Sequence, residues 1–310
     1  MSDHKKSQIG IIGMGWVGSS VASSILHQGI CNELLLNDLR DGLAEGEAMD
    51  FNHGSSFYPT ANVRSAKIKE MHNCKAIVVT AGRGGKPGET RLELLQDNIG
   101  IAKDIATQLK GYQGILIIVS NPVDVLTYFY QKFSGIPSGK VIGTGTMLDT
   151  ARLRSIAGKR LNLNPRSIHA QVIGEHGDSE VVLWSSATIG GESLRNWDGW
   201  NGKGEAEIAE EVRKAAQEII KRKGATNHAI GLVTATLIKW ILRGERRIVT
   251  LSTSLEAAFG LTNVALSLPC ILSGNGVEKV LEITMTEEEK SNFFNSAEVI
   301  KKAIAEVENS

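Results

Sequence analysis

A glycine-rich turn close to the N-terminus constrains the fold more than any other stretch of the chain. Gly13-Met-Gly15-Trp-Val-Gly18 is a G-x-G-x-x-G pattern between an apolar strand, Gln8–Ile12, and a predicted helix over Ser19–Gln28. The first glycine permits a tight turn, the second lets the backbone approach a pyrophosphate, and the third lets the helix pack on the strand. Free amides and the helix dipole favour anions at this helix start. The pattern therefore predicts an α/β fold with a dinucleotide site.

Short apolar runs alternate with helical patterns through the first half of the chain. The strand candidates are Gln8–Ile12, Leu34–Asn37, Ile77–Thr80, Ile115–Ser120 and Lys140–Ile142, with a helix over Leu92–Leu109 between the third and the fourth. Continuous apolar runs are typical of parallel strands that are buried on both faces. The alternation predicts a Rossmann-type, doubly wound parallel sheet over residues 1–144.

The second half has a different pattern. Glu205–Lys223 carries apolar residues on one face, acids early and bases late, and Thr286-Glu-Glu-Glu289 is a capping box that opens a last helix. The Gly- and Trp-rich stretch Gly190–Gly204 is expected to be a surface loop. We expect a C-terminal α+β substrate domain over residues 145–310.

An acid at the end of the second predicted strand completes the cofactor pattern. Asp38 lies twenty residues after Gly18, where the fold places a carboxylate on the ribose hydroxyls. That carboxylate would repel a 2′-phosphate, so the pattern favours NAD over NADP, although Arg40 follows two residues later.

Charge and composition exclude several classes of protein. The 310 residues include 34 Lys plus Arg and 34 Asp plus Glu, so the net charge is zero. This removes the electrostatic argument for nucleic acid or an anionic membrane as a partner. No apolar run approaches the roughly 20 residues of a membrane span, and the polar N-terminus has no signal-peptide core. Cys31, Cys74 and Cys270 are scattered, which favours buried thiols over a disulfide framework or a metal site. We expect a cytoplasmic protein that binds no metal.

One histidine stands between glycines and carboxylates in Ile173-Gly-Glu-His-Gly-Asp-Ser179. The unperturbed pKa of imidazole is the nearest to neutrality, so an oriented His176 can both take and give a proton. Asp149 and Arg152 lie three residues apart in an Asp-Thr-Ala-Arg turn, and a guanidinium is the planar, two-toothed partner that a substrate carboxylate needs.

Several motifs in order resemble the L-lactate dehydrogenase family, of the bacterial type, which shares its fold with the malate dehydrogenases. The resemblance runs from about residue 8 to the C-terminus. Its motifs lie at 47–54, 80–82, 86–91, 120–124, 143–146, 149–152 and 174–178. The resemblance implies reversible hydride transfer between NAD(H) and a small 2-oxo or 2-hydroxy acid, with pyruvate and L-lactate as the expected pair.

The resemblance also implies a role for each matching residue. His176 would be the acid and base, Asp149 would hold its ring, Arg152 would bind the substrate carboxylate, and Arg91 would polarise the reacting carbonyl from a mobile lid at about 82–93. Asn121 would orient the substrate oxygen, and Thr226 would lie near the substrate. The expected cofactor contacts are Gly13, Gly15, Val17, Gly18, Asp38, Gly82, Val119 and Asn121.

Substrate choice in the family depends on the residue before Lys86-Pro-Gly. Lactate enzymes typically carry Gln there and malate enzymes carry Arg, whereas this chain has Gly85. A site without that cation disfavours a dicarboxylate, and the missing side chain leaves room for 2-oxo acids bulkier than pyruvate. Arg83, where the family usually has a small residue, offers another source of positive charge. Malate dehydrogenase and L-2-hydroxyisocaproate-type dehydrogenase therefore stay open as alternatives.

Arg154 and His169 match positions where bacterial lactate dehydrogenases bind fructose 1,6-bisphosphate across a subunit interface. The resemblance thus implies an allosteric effector and a homotetramer, with a dimer as the alternative. Two other classes are weaker: an NAD-using glycosidase would need a Cys- and His-bound metal, and a non-catalytic NAD sensor would be expected to lack one of the four catalytic residues.

Overall fold

The computed structural model describes residues 7–85, 88–200 and 202–309, without the side chains of Arg91 and Lys203. The helices in this part of the chain are α1 Trp16–His27, α2 Leu43–His53, α3 Arg91–Gln108, α4 Val123–Ser134, α5 Met147–Leu161, α6 Glu205–Lys223, α7 His228–Leu242 and α8 Glu287–Glu308. The strands are β1 Gln8–Ile12, β2 Glu33–Asn37, β3 Asn62–Ser65, β4 Ala76–Val79, β5 Ile115–Ile118, β6 Val141–Gly143, β7 Ile168–His169, β8 Val172–Ile173, β9 Val181–Val182, β10 Thr188–Ile189, β11 Glu192–Ser193, β12 Arg247–Ser254, β13 Ala265–Ser273 and β14 Gly276–Val280.

A mixed sheet organises the molecule. Its nine described strands run in the order β14-β13-β12-β6-β5-β4-β1-β2-β3. Strands β1 to β6 are parallel and follow the order 3-2-1-4-5-6 of a Rossmann fold. Strands β12 to β14 continue the sheet in antiparallel orientation from β6. The predicted fold class, a doubly wound parallel sheet with a C-terminal α+β region, is confirmed.

The central strands are apolar on both faces because helices cover both faces of the sheet. β4 (Ala76–Val79) and β5 (Ile115–Ile118) are buried at every position. Their side chains divide between two apolar clusters, one containing Ile77 and Leu116 and the other Val78 and Ile117. The continuous apolar runs in the sequence therefore predicted these strands to within two residues at each end.

The strand β3 is missing from the sequence prediction. Asn62-Val-Arg-Ser65 contains one buried apolar residue, Val63, because β3 is the edge strand of the sheet and only one of its faces meets the core. In the second half the prediction placed a short strand before the His176 loop but did not identify β12 and β13, which are long and mostly buried.

The stretch Gly190–Gly204 is not a simple surface loop, so that prediction is wrong. It contains β11, which pairs with β10, and two short 3-10 turns. Trp197 and Trp200 pack against a third apolar cluster that is centred on Leu153, Ile168 and Val212. The indoles supply the apolar area that holds this glycine-rich segment in place.

The last helix begins where its sequence predicted. Thr286 Oγ1 accepts from the Glu289 amide at 3.2 Å, and Glu289 Oε2 accepts from the Thr286 amide at 2.9 Å. This is the predicted capping box, and it satisfies amides that the first helical turn leaves without partners.

All three cysteines are buried, as the sequence predicted, and burial raises the pKa of each thiol to about 12. Within the described residues, no helix is both long and apolar enough to cross a membrane.

Candidate active site

The glycine turn between β1 and α1 is shaped by close backbone contacts. Gly13 has a φ of 99°, and a Cβ there would lie 2.6 Å from the Ala81 amide nitrogen. A Cβ at Gly18 would overlap the Gly13 carbonyl oxygen, whereas one at Gly15 would meet no atom within 4 Å. The first and third glycines thus permit tight packing, and the second leaves open space beside the start of α1. The turn has the shape that a pyrophosphate requires.

Asp38 lies at the C-terminal end of β2 and faces this turn. Its Oδ2 accepts from the Met14 amide at 2.7 Å, and its Oδ1 accepts from the Arg40 amide at 2.9 Å and from Arg40 Nε at 3.1 Å. Burial opposes ionisation, but these hydrogen bonds outweigh it and lower the pKa of Asp38. The carboxylate is therefore ionised near neutral pH, and Arg40 is engaged with it.

The other predicted cofactor residues lie along the carboxyl ends of the parallel strands. Gly82 follows β4, Val119 and Asn121 follow β5, and Val17 is in the first turn of α1. Asn121 is exposed, and its Oδ1 accepts from the Val123 amide at 3.2 Å. The Asn121–Pro122 peptide bond is cis. In an open parallel sheet this edge is where ligands bind.

His176, Asp149 and Arg152 meet although they are distant in the sequence. His176 Nδ1 lies 2.5 Å from Asp149 Oδ2, and Arg152 Nη1 lies 2.7 Å from Asp149 Oδ1. Asp149 is in the first turn of α5, and Arg152 is one turn later on the same helix. The Asp149 side chain is 2% exposed, against 13% for Arg152 and 23% for His176. The carboxylate is thus buried behind two groups that reach solvent.

This pairing changes the proton affinity of the histidine. Burial of the imidazole opposes protonation, but the negative charge of Asp149 and its hydrogen bond outweigh burial and raise the pKa of His176 to about 9. Burial likewise opposes ionisation of Asp149, and His176 and Arg152 outweigh it, so the pKa of Asp149 is lowered. The pair is therefore an imidazolium and a carboxylate at neutral pH, with Nε2 as the ring nitrogen that Asp149 does not hold.

Two further acids near His176 were not predicted from the sequence. Asp124 Oδ2 accepts from the backbone amide of His176 at 2.7 Å. Glu180, at the end of the same loop, is buried, and burial raises its pKa to about 8. Asp124 is the last residue of the motif at 120–124 and Glu180 follows the segment Ile173–Ser179, but no role was predicted for either acid.

The lid segment begins at Gly82 and ends at α3. Arg83 donates from Nε to Asp97 Oδ2 at 2.8 Å and from Nη1 to Glu89 Oε2 at 2.8 Å, and its Nη2 also contacts Glu89. We call Arg83, Glu89 and Asp97 the lid clasp. Gly85 is exposed in the middle of the segment. Arg91 is the first residue of α3, and its predicted catalytic side chain lies outside the described atoms, as do Lys86 and Pro87.

The remaining predicted residues lie away from this cluster or at its margin. Thr226 is half-buried in the short connection between α6 and α7. Arg154 donates from Nε to the Ala170 carbonyl at 3.0 Å, and burial lowers its pKa. His169 is exposed in β7, next to Ala170. The Arg154 side chain therefore contacts the backbone of the residue that follows His169.

Profiles of two protein families match almost the whole chain. Residues 7–143 match the lactate/malate dehydrogenase NAD-binding domain, and residues 146–310 match the lactate/malate dehydrogenase alpha/beta C-terminal domain. The chain belongs to the lactate/malate dehydrogenase family. Membership in this family confirms the NAD cofactor that the glycine turn and Asp38 predicted.

Similar proteins in this family carry lactate dehydrogenase names. An L-lactate dehydrogenase of Fervidobacterium nodosum is 45% identical, and the match covers 97% of this chain and 99% of that protein. One of Macrococcus caseolyticus is 42% identical over 97% and 98% of the two chains. The crystal structure of a minor L-lactate dehydrogenase from Enterococcus mundtii, in a ligands-bound form, superposes with a TM-score of 0.94 at 36% identity, covering 97% of this chain and 98% of that one. The family predicted from the sequence motifs is confirmed.

Proposed function

We propose that this protein is an L-lactate dehydrogenase, which transfers a hydride reversibly between NAD(H) and the pyruvate/L-lactate pair. The observation that carries the proposal is the contact of His176 and Arg152 with one buried carboxylate, Asp149, at 2.5 and 2.7 Å. In this cluster His176 can supply a proton, and Arg152 beside it can bind the carboxylate of the substrate. The names of the similar proteins support the same assignment.

In the direction of pyruvate reduction, His176 acts as the acid. Bound NADH supplies the hydride that reaches the carbonyl carbon, and the imidazolium gives its Nε2 proton to the carbonyl oxygen. Asp149 keeps the proton on Nδ1 and stabilises the imidazolium before the transfer. In the reverse direction the neutral ring takes the hydroxyl proton of lactate. The raised pKa of His176 therefore favours reduction near neutral pH.

Arg152 has donors left for the substrate. Among the contacts of the described residues, one of its five N–H groups is bonded to Asp149. The remaining ones can hold a carboxylate bidentately, which fixes the carbonyl carbon relative to His176. We assign Asn121 to the carbonyl oxygen, Thr226 to the margin of the substrate pocket, and Arg91 to the carbonyl once the lid closes.

The lid favours a substrate with one carboxylate. Gly85 offers no cation, and Arg83 already faces two acids, Glu89 and Asp97, so the lid clasp has one more negative than positive charge. A second substrate carboxylate would meet repulsion there instead of a partner. This supports pyruvate over oxaloacetate, and the missing side chain at Gly85 supports tolerance of larger apolar 2-oxo acids.

A substrate panel tests the assignment. We expect kcat/KM with NADH to be highest for pyruvate, lower for 2-oxoisocaproate and lowest for oxaloacetate. Gly85→Arg is the comparison variant, because it adds the missing cation, and it should raise the oxaloacetate-to-pyruvate ratio about 10- to 100-fold. A wild-type preference for oxaloacetate would make the protein a malate dehydrogenase. A preference for 2-oxoisocaproate would favour an L-2-hydroxyisocaproate-type dehydrogenase.

We further propose that residues 1–144 form the NAD-binding unit, with a lid at about 82–93, and that residues 145–310 form the substrate unit of a cytoplasmic, glycolytic homotetramer.

We also propose an allosteric effector site. Arg154 and Arg166 line a groove of about 270 Å³, and two such cationic surfaces across a two-fold axis would suit fructose 1,6-bisphosphate. The pyruvate saturation curve should shift to lower concentrations when this ester is added. If the ester leaves the wild-type curve unchanged, there is no effector site. If the double variant Arg154→Gln/His169→Ala shows the same ester-induced shift as the wild type, the site does not include these residues.

A further inference from the structure

Asp124 is a buried carboxylate that belongs to neither the cofactor turn nor the His176–Asp149–Arg152 cluster. It lies in the first turn of α4, three residues after Asn121, and only 2% of its surface is exposed. Its Oδ2 accepts from the His176 backbone amide at 2.7 Å across 52 residues of sequence. A single side chain therefore joins the segment that carries Asn121 to the loop that carries His176.

The other oxygen of this carboxylate is also enclosed. Asp124 Oδ1 is fully buried, and the Ser252 hydroxyl on β12 is its hydrogen-bonding neighbour. Burying a carboxylate is destabilising unless hydrogen bonds compensate, and here the His176 amide and Ser252 supply them. Burial raises the pKa of Asp124 to about 6, while Ser252 and the His176 amide oppose this rise. The carboxylate is thus ionised above that pH.

The negative charge of Asp124 also reaches the imidazole. The charged and titratable groups that face His176 are Asp149 and Arg152 from α5, Asp124 from α4 and Glu180 from the same loop. After Asp149, Asp124 is the next group that raises the pKa of His176, whereas Arg152 lowers it. Glu175 is the other acid whose charge acts on Asp124.

We propose that Asp124 is a positioning residue of the dehydrogenase, which fixes the His176 backbone relative to Asn121 and gives the imidazolium a second negatively charged neighbour. The inference rests on the proposed role of His176 as acid and base. Its geometric part concerns where the ring lies, and its electrostatic part concerns how firmly the ring holds its proton. Two substitutions at this position separate the two parts.

Asp124→Asn removes the charge and keeps an oxygen that can accept from the His176 amide, while its new amide group can donate to the Ser252 hydroxyl oxygen. With one negative neighbour gone, the imidazolium is less stable. The high-pH midpoint of kcat/KM for pyruvate should therefore fall by about half a unit to one unit, with little change in kcat below the midpoint. Asp124→Ala also removes the acceptor. Its kcat should fall about 10- to 100-fold, and more than KM rises, because the ring is misplaced in the transition state.

Glu289→Gln is the matched control, because Glu289 is a buried, hydrogen-bonded carboxylate that caps α8 and does not act on His176. It should reduce thermal stability without moving the midpoint. Diethyl pyrocarbonate modification of His176 against pH, read by mass spectrometry of its peptide, measures the same midpoint without turnover. An unmoved His176 midpoint in Asp124→Asn together with a wild-type kcat in Asp124→Ala would overturn the inference. Absence of turnover with any 2-oxo acid, alongside a normal His176 titration, would overturn the proposed function instead.

Discussion

At the scale of single residues, the central feature is an imidazole surrounded by unequal acids. Asp149 contacts the ring, Asp124 holds its backbone amide, and Glu180 lies buried at the end of its loop. Only the first of these is in direct contact with Nδ1, so it dominates the proton affinity of the ring. Asp124 and Glu180 act on the proton affinity through their charges, without touching Nδ1.

Replacement of Asp149 by Asn tests the dominant contact. Without the carboxylate, burial is no longer opposed and the pKa of His176 should fall from about 9 to below its usual value near 6.5. Pyruvate reduction needs the imidazolium, so kcat/KM at pH 7.5 should drop about 10²- to 10⁴-fold. Lactate oxidation needs the neutral ring, so its rise with pH should move to lower pH. Parallel pH–rate profiles of both reactions measure this, and identical midpoints in wild type and variant would contradict it.

The same shift has a consequence for stability. The pKa of His176 is raised in the folded state, so the pair contributes stability fully below the unfolded-state value near 6.5, and this contribution is lost as the pH rises through about 9. Because the pKa of Asp149 is lowered, its contribution is present above the usual Asp value and is lost in acid.

At the level of residues, the sequence predicted roles only for groups that the family motifs identify. His176, Asp149 and Arg152 were predicted as one cluster, and the structure brings them together. Asp124 and Glu180 were not predicted, because a carboxylate becomes a neighbour of His176 only through the packing of α4 and of the loop end. Sequence spacing does not contain that information.

At the scale of elements, the sequence did not predict the contacts of the lid clasp. Arg83 was considered as a cation that could reach the substrate, but it contacts Glu89 near the end of the lid and Asp97 on α3. The Arg83 amide also donates to Asn98 Oδ1 at 2.9 Å. These contacts hold Arg83, at the start of the segment, against Glu89 and against α3.

Arg83→Ala should open the clasp. We expect kcat/KM for pyruvate to fall about three- to tenfold, because the lid closes less often in its productive position, and the melting temperature to fall slightly, because Glu89 is largely buried and loses one of its contacts. Arg246→Ala, which breaks an exposed ion pair with Glu278 far from the lid, is the control and should leave both quantities unchanged. A gain in oxaloacetate activity in Arg83→Ala would contradict the charge argument.

The edge strand and the tryptophan segment show why other elements were missed. β3 contains a single buried apolar residue, Val63, so it lacks the continuous run that identified β4 and β5. Gly190–Gly204 reads as a loop by composition, but Trp197 and Trp200 anchor it to the third cluster. In both cases the order comes from contacts with distant elements and not from local pattern.

At the scale of the whole molecule, the two matched segments share one sheet and two of the three apolar clusters. β12, from the second segment, pairs with β6 of the first through Ser252 and Gly143. One apolar cluster contains Phe129 of α4, Leu268 of β13 and Phe293 of α8. The boundary between the family profiles near residue 144 therefore does not separate two independent cores.

Unfolding should reflect this continuity. We expect a single thermal transition in the wild-type protein when unfolding is followed by the fluorescence of its tryptophans, which lie in both segments. Far-UV circular dichroism should give the same midpoint. Two separated transitions would show that the segments are independent folding units.

The continuous sheet also limits how such enzymes can be recombined. A chimera joined at residue 144 would place a foreign β12 beside the native β6 and leave half of a shared apolar cluster facing unfamiliar side chains. Exchanging cofactor modules between relatives should succeed only if β12 to β14 travel with the N-terminal half. Gene fusion at the apparent border would otherwise yield an open sheet edge and a protein prone to aggregate.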